Sequence, residues 1–381
     1  MGFFDIFKKN VNPPQDKSND IQTPDVKITV SVPTPKPPTQ AEIDAKGVPV
    51  EAHLKDAIPS KQGLFPHEIL VLAYAHTFYT EETSFQGFWW YRYGVRDVQV
   101  VIMSLVKRGF LQIGDIRSAL EKQTVTVIKE VLRTHKLKLS GKKAELVQRL
   151  LDSIPESELN ESFPKRPYAL TDLGEAALDE EEYVLYIHRH GVEDLDIWSL
   201  NKMVHTQPYM PYRDKLWGYL NQRSMQHLQD RNFGLYRNCR FNMSQFLCEE
   251  KKYRDALAMI AEVVFFDLSG ANNNYDPEFL EIHAPFLFPY EESLATTAPG
   301  IISAIVSCQK ELGYSDDEIR VALMERMAKL SAPLQLFTVE ECVQIVFLER
   351  DHDTEALTKM YAKAKRAFKQ EYPHIKLEKA F

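Results

Sequence analysis

Between Lys122 and Asp152 two apolar helical faces flank an alternating segment, and this stretch dictates its own fold more tightly than any other. Ile128, Val131 and Leu132 recur at helical spacing, and so do Leu146, Val147 and Leu150. Between them Leu137 and Leu139 alternate with Lys136 and Lys138, the two-residue period of extended chain. The pattern predicts helix, extended linker, helix. It is also strongly basic. Lys122, Lys129, Arg133, Lys136, Lys138, Lys142, Lys143 and Arg149 face only Glu130, Glu145 and Asp152, giving +5 in 31 residues. The 381-residue chain carries −8 overall, so the remainder carries −13. That balance excludes histone-like binding by bulk charge and leaves a local polyanion site.

Ser140 is expected where the second helix begins. Ser140, Gly141, Lys142 and Lys143 then combine backbone donors, a hydroxyl and two ammonium groups, the chemistry of a phosphate site at a helix N-terminus. Gly141 lacks a side chain, so a sugar-phosphate backbone can come close. The string TVTVIKEVLRTHKLKLSGKKAELVQRLL resembles a SAP domain, a helix–extended linker–helix module known for binding DNA and sometimes RNA. The match lies in Thr124-Val125, the Ile128 and Leu132 core, Leu137, and the run from Ser140 to Leu146. It departs at Lys136, where the family typically has glycine. The resemblance implies that Lys138, Ser140, Gly141, Lys142 and Lys143, with Arg133 beside them, meet phosphates. Lys136 and Arg149 complete the expected nucleic-acid site as further cations of the island, and a protonated His135 is a further donor. Such contacts position a protein on a duplex rather than specify sequence. The alternative is an interaction scaffold whose basic hairpin binds an acidic protein surface.

A module of ~35 residues has too small a core to stand comfortably alone, so its flanks matter. Ile69, Leu70, Ala73 and Tyr74 follow Pro66 at helical spacing. A loop with Gly87 and the aromatics Phe88 to Tyr91 comes next. Val95 to Arg108 reads as a second helix with Val98, Val101, Ile102 and Leu105 on one face. Phe110 to Ile113 and Tyr168 to Thr171 read as short strands, and Thr171 caps a helix starting at Asp172. RPYALTDLGEAAL resembles the second wing strand and following helix of winged-helix proteins. The expectation is a winged-helix-like domain at 61–182 carrying the SAP-like insertion at 116–160. Its recognition-type helix would reach outward with Arg92, Arg96, Gln99, Lys107 and Arg108.

Nine of the 21 prolines fall between residues 11 and 60. Proline removes donors and fixes the backbone, so 1–60 is expected to be a flexible Pro-rich leader. Within it VKITVSV alternates like a strand, and MGFFDIFKKN offers one short amphipathic turn. From 183 to 381 an all-α, helical-repeat-like domain is expected. Residues 240–268 resemble a single tetratricopeptide unit, and this domain is the candidate protein-partner surface. Capping boxes at Ser315–Glu318 and Thr338–Glu341 mark two helix starts. The fold class is mainly α.

Chemistry-bearing patterns are sparse. No phosphate-binding loop, GxGxxG or nucleophile elbow occurs, and His188 and His190 lack a matching carboxylate set. The expectation is a non-enzymatic protein with no cofactor and no metal. Four distant cysteines read as reduced thiols in a cytoplasmic protein. No run of ~18 apolar residues suits a membrane span. In texture the chain resembles bacterial or phage proteins.

Overall fold

The computed structural model describes residues 47–271 and 277–377. The strand-like VKITVSV run and the MGFFDIFKKN turn lie outside the described residues. The described chain is mainly helical, with 19 α-helices and one two-stranded sheet. No described helix is long and apolar enough to cross a membrane.

Among the described residues, which begin at Gly47, helical structure is already present ahead of the expected boundary at 61. Helix α1 (Val50–His53) is followed by a chain that bonds to the body, with Ile58 N–H donating to Asn201 Oδ1 at 2.8 Å. The prolines here, Pro49 and Pro59, flank the helix rather than interrupt it. Helix α2 (Pro66–Tyr74) has Pro66 in its first turn, as expected. The aromatic run expected as a loop is instead helix α3 (Phe88–Tyr93). It ends at Gly94 with φ +74°, where a side chain would collide with the Val48 carbonyl. Helix α4 (Val98–Lys107) starts three residues later than its apolar pattern suggests. The carboxylate of Asp97 caps it by accepting from Val100 N–H at 3.1 Å.

Strand β1 (Leu111–Ile113) pairs antiparallel with β2 (Tyr168–Leu170), in register Leu111↔Leu170, Gln112↔Ala169, Ile113↔Tyr168. Between the strands lie four helices: α5 (Ile116–Lys122), α6 (Val125–Thr134), α7 (Lys143–Ser153) and α8 (Glu156–Ser162). After β2 come α9 (Asp172–Glu180), α10 (Glu182–His190), α11 (Ile197–Thr206), α12 (Tyr212–Gln229), α13 (Phe233–Glu249) and α14 (Tyr253–Ser269). Then follow α15 (Leu280–His283), α16 (Pro299–Leu312), α17 (Asp316–Met327), α18 (Val339–Arg350) and α19 (Thr354–Glu371). Thr171 caps α9, and the two capping boxes start α17 and α18, all as expected.

Three apolar cores organise these elements. One surrounds Leu70, Trp89, Tyr93, Ile102 and Phe110 and extends to Ile187, Leu216 and Met243. A second lies within the inserted helices. The third spans Phe233 to Ile375. The expected division at 182/183 therefore falls inside a core. Tyr183, Val184 and Ile187 pack with the N-terminal elements. Helix α13 is the shared wall, turning Cys239, Met243 and Phe246 to the first core and Phe233, Tyr236 and Leu247 to the third. The helical pair expected at 240–268 is the hairpin α13–α14, closed through Lys251 at φ +59°. Met243, Ser244 and Leu247 are buried there, while Phe241 is half-buried.

The third core holds a carboxylate. Glu262 on α14 is fully buried and lies 3.1 Å from Arg240 Nε and 3.0 Å from Arg326 Nε, while Tyr236 OH donates to it at 2.5 Å. Two guanidiniums and a phenol compensate one desolvated charge, and removal leaves the cations unbalanced. Glu262→Ala is expected to destabilise the protein by about 3 kcal/mol, read as a lowered urea midpoint. An unchanged midpoint would remove this ion-pair cluster from the account of stability.

Candidate nucleic-acid interface

The inserted helices build the site. Asp115 caps α5, accepting from Ser118 N–H at 2.8 Å, and Thr124 caps α6, accepting from Val127 N–H at 3.4 Å. Ile128 and Leu132 from α6 meet Leu146, Val147 and Leu150 from α7, as the apolar pattern requires. Val131, Leu137 and Leu139 are half-buried against them. Helices α5 and α8 complete the core with Ile116, Ala119, Leu120 and Leu159, joined by Phe163 just past the end of α8. The 116–160 segment is thus four helices, where two were expected. The extra pair is signalled in the sequence by Asp115 three residues before Ser118, and by Pro155 ahead of acidic Glu156 and Glu158.

Lys136 stands at the left-handed position ending α6, with φ +56°. Leu137 N–H donates to Leu132 O at 2.8 Å and Lys136 N–H to Arg133 O at 3.0 Å, the two bonds of a Schellman cap. This is the geometry that favours glycine at this point, and lysine occupies it under strain. The linker that follows turns Leu137 and Leu139 inward and Lys136, Lys138 and Ser140 outward.

Helix α7 begins at Lys143, with Lys142 as its N-cap, so Ser140 lies outside the helix rather than at its start. Lys142 N–H donates to Glu145 Oε2 at 3.3 Å. The helix's own carboxylate thus sits where an anion was expected. Gly141 has φ +135°, and a side chain there would approach Glu145 Oε2 to 2.6 Å. Local packing accounts for this glycine without any ligand.

The expected site residues divide into two groups. Arg133, Lys136, Lys138, Ser140, Gly141 and Lys142 are exposed. Arg149 instead is half-buried and donates to the Lys138 and Ser140 carbonyls at 2.5 and 3.2 Å, clamping the linker. Lys143, although exposed, donates its ammonium to the Glu121 carbonyl at the C-terminal end of α5, a favourable place for a cation. Lys122 is likewise used internally. It donates to the Thr77 carbonyl and lies 3.9 Å over the Tyr79 ring, and burial pushes its pKa down. His135 bonds Val131 O at 2.9 Å and Glu158 Oε1 at 2.8 Å, so it ties α6 to α8 rather than facing outward. The Val131 carbonyl first, then Glu158, raise its pKa above the ordinary 6.5.

Elsewhere the expected outward reach of α4 is largely spent. Arg108 pairs with Glu68 at 2.6 Å and Gln99 donates to Tyr168 OH at 3.3 Å. Arg96 lies over the Trp90 ring at 4.2 Å. Val100 and Met103 are 64% and 54% exposed, so the outer face of α4 is partly apolar. Trp89 and Trp90 are buried, which removes them as base-stacking platforms, while Tyr91 is exposed. His188 lies between Tyr74 OH at 2.7 Å and Tyr93 OH at 2.5 Å, with burial pushing its pKa down to about 4.

Residues 119–155 match the SAP domain family. The matched span runs from α5 through α7 and contains the exposed Arg133, Lys136, Lys138 and Lys142. It suggests nucleic-acid binding in general. No curated protein matches the chain.

Two outcomes follow from the cap and from the histidine. Lys136→Gly is expected to stabilise the module by about 1 kcal/mol by relieving the left-handed lysine, read by urea denaturation. Destabilisation there would show that the lysine stem packs usefully. Because the folded His135 pKa is raised, its bonds help below that pKa and fade as pH rises through it. An NMR titration should place His135 above 6.5, and Glu158→Gln should lower it. An unmoved value would dissociate Glu158 from the histidine.

Proposed function

We propose that the chain is a non-enzymatic DNA-binding protein that docks on duplex phosphates through the outward cations of its SAP-like module. The observation carrying this reading is that Arg133 near the end of α6, Lys136 and Lys138 in the cap and linker, and Lys142 at the start of α7 are exposed and make no ion pair with another described residue. A folded module that keeps cations unpaired on an otherwise acidic chain supports binding to a polyanion. The mechanism is electrostatic and tolerant of sequence, since phosphate contacts carry no base information. Arg149 and Lys143 act as positioning residues that fix the linker and the α5–α7 contact.

The host of the module reads as a winged helix. Support comes from the order α2, a bridge at Tyr79↔Pro167, α3, α4, β1 and β2, with Thr80 N–H donating to Arg166 O at 2.9 Å. The wing is then the β1–β2 pair, opened to admit the module. Val100 and Met103 on the outer face of α4 argue for DNA contact by the module alone. In the helical half, exposed Phe279, Ile282 and Leu294 support a protein-partner surface.

Fluorescence anisotropy with labelled duplex DNA at several salt concentrations tests the reading. Wild type should bind with a salt slope of about −2 or steeper, and Lys138→Ala/Lys142→Ala should flatten it by about two. Lys143→Ala, which removes an internally bonded ammonium, should change the slope less. Glu145→Gln should tighten binding by about 0.5 kcal/mol, roughly twofold, because it removes a negative charge from the helix start. Absence of binding at ~50 mM salt, with an acidic protein retained on the same module, would replace DNA with the scaffold reading.

A further inference from the structure

Outside the basic module, three elements bring sulfur, nitrogen and oxygen donors to one buried point. Glu193 lies in the turn between α10 and α11, His227 in the last turn of α12, and Cys239 midway along α13. Glu193 Oε2 is 2.9 Å from His227 Nε2, and Glu193 Oε1 is 3.1 Å from Cys239 Sγ. The three donor atoms all fall within 4.8 Å of one another. The side chains of Glu193 and His227 are 8% and 5% exposed, and Cys239 is fully buried.

Hydrogen bonds within the group give the carboxylate modest compensation. A thiol is a weak donor. Arg223 Nη2 stands off at 3.5 Å, and Arg223 Nε finds no hydrogen-bond partner among the described residues. A carboxylate withdrawn this far from water is costly unless a full charge meets it directly. Glu193 is also held at φ +51°, a conformation that side chains disfavour and that serves here to aim the carboxylate inward.

We propose that Glu193, His227 and Cys239 form a binding site for a zinc-class divalent cation. One thiolate, one imidazole and one carboxylate suit zinc and exclude the hard, all-oxygen cations magnesium and calcium. Three protein ligands leave the fourth tetrahedral position to water. Donors around tetrahedral zinc lie about 3.4 Å apart, so the turn must open by a few tenths of an ångström. Burial first, then Glu193, push the Cys239 thiol up, so the free site holds the proton. Binding forms the sulfur–metal bond and releases that proton to solvent. Arg223, one-third exposed, gives up its long contact and turns to water. Asp194, next in the turn, is engaged by Tyr219 OH. The bound cation would tie the α10–α11 turn to the α12–α13 hairpin.

The test uses the full chain, reduced and stripped of metal with a chelator, then titrated with Co²⁺. The expected result is one cobalt per chain, with a near-ultraviolet thiolate-to-cobalt charge-transfer band and visible bands of four-coordinate intensity. Zn²⁺ should abolish both. Cys239→Ala should remove the near-ultraviolet band, and His227→Gln should weaken binding at least about tenfold. Each variant must retain wild-type helical circular dichroism, and whichever folds decides the ligand assignment. A folded wild type without a saturable cobalt band overturns the proposal. So does a band that survives intact in folded Cys239→Ala, because another cysteine would then be the ligand.

Discussion

Three residue pairs, Leu111↔Leu170, Gln112↔Ala169 and Ile113↔Tyr168, close the host around the basic module. A ladder this short is marginal by itself. It is reinforced at both ends. Gly114 N–H donates to Pro167 O at 2.8 Å, and Thr171 N–H donates to Phe110 O at 3.2 Å. The Thr171 hydroxyl adds a bond to Gly109 O at 2.7 Å. The same pairing brings the two ends of the insertion to one place, which lets four helices enter the host without disturbing its core. Lys122 over Tyr79 then fixes the module's lean on the host.

Charge in the module is divided by task. Cations near carbonyls or rings stabilise the scaffold, as Lys122, Lys143 and Arg149 do. Cations on the cap and linker remain in water. The division explains why a charge count alone overstates the site. It also explains the strained Lys136, which carries a charge where glycine would rest more easily.

The sequence revealed the basic module well, because two apolar faces and an alternating linker are strong periodic signals. It was less informative wherever tertiary contacts decide. Helix α3 was hidden, because its aromatics look like a loop cluster until Gly94 closes against Val48. The cap of α7 lies two residues past Ser140, the expected position because serine is a better cap by type than Lys142. Internal use of Lys143 and Arg149 depends on where carbonyls of other segments arrive, and no spacing records that. The shared wall at α13 was invisible for the same reason, since one helix serves two cores. Glu193, His227 and Cys239 are scattered along the chain and meet only through the fold.

The placement of the module also sets an order of events during synthesis. The 54 residues between Ile113 and Tyr168 must be made before β1 can find its partner. At ~5–20 residues per second this takes roughly 3–10 seconds. Contacts within the module are local and close quickly, whereas the host sheet needs its second strand. The piece in the middle of the domain is therefore finished before the domain that holds it. Until then β1 is an open strand edge, and a module that folds poorly prolongs that exposure.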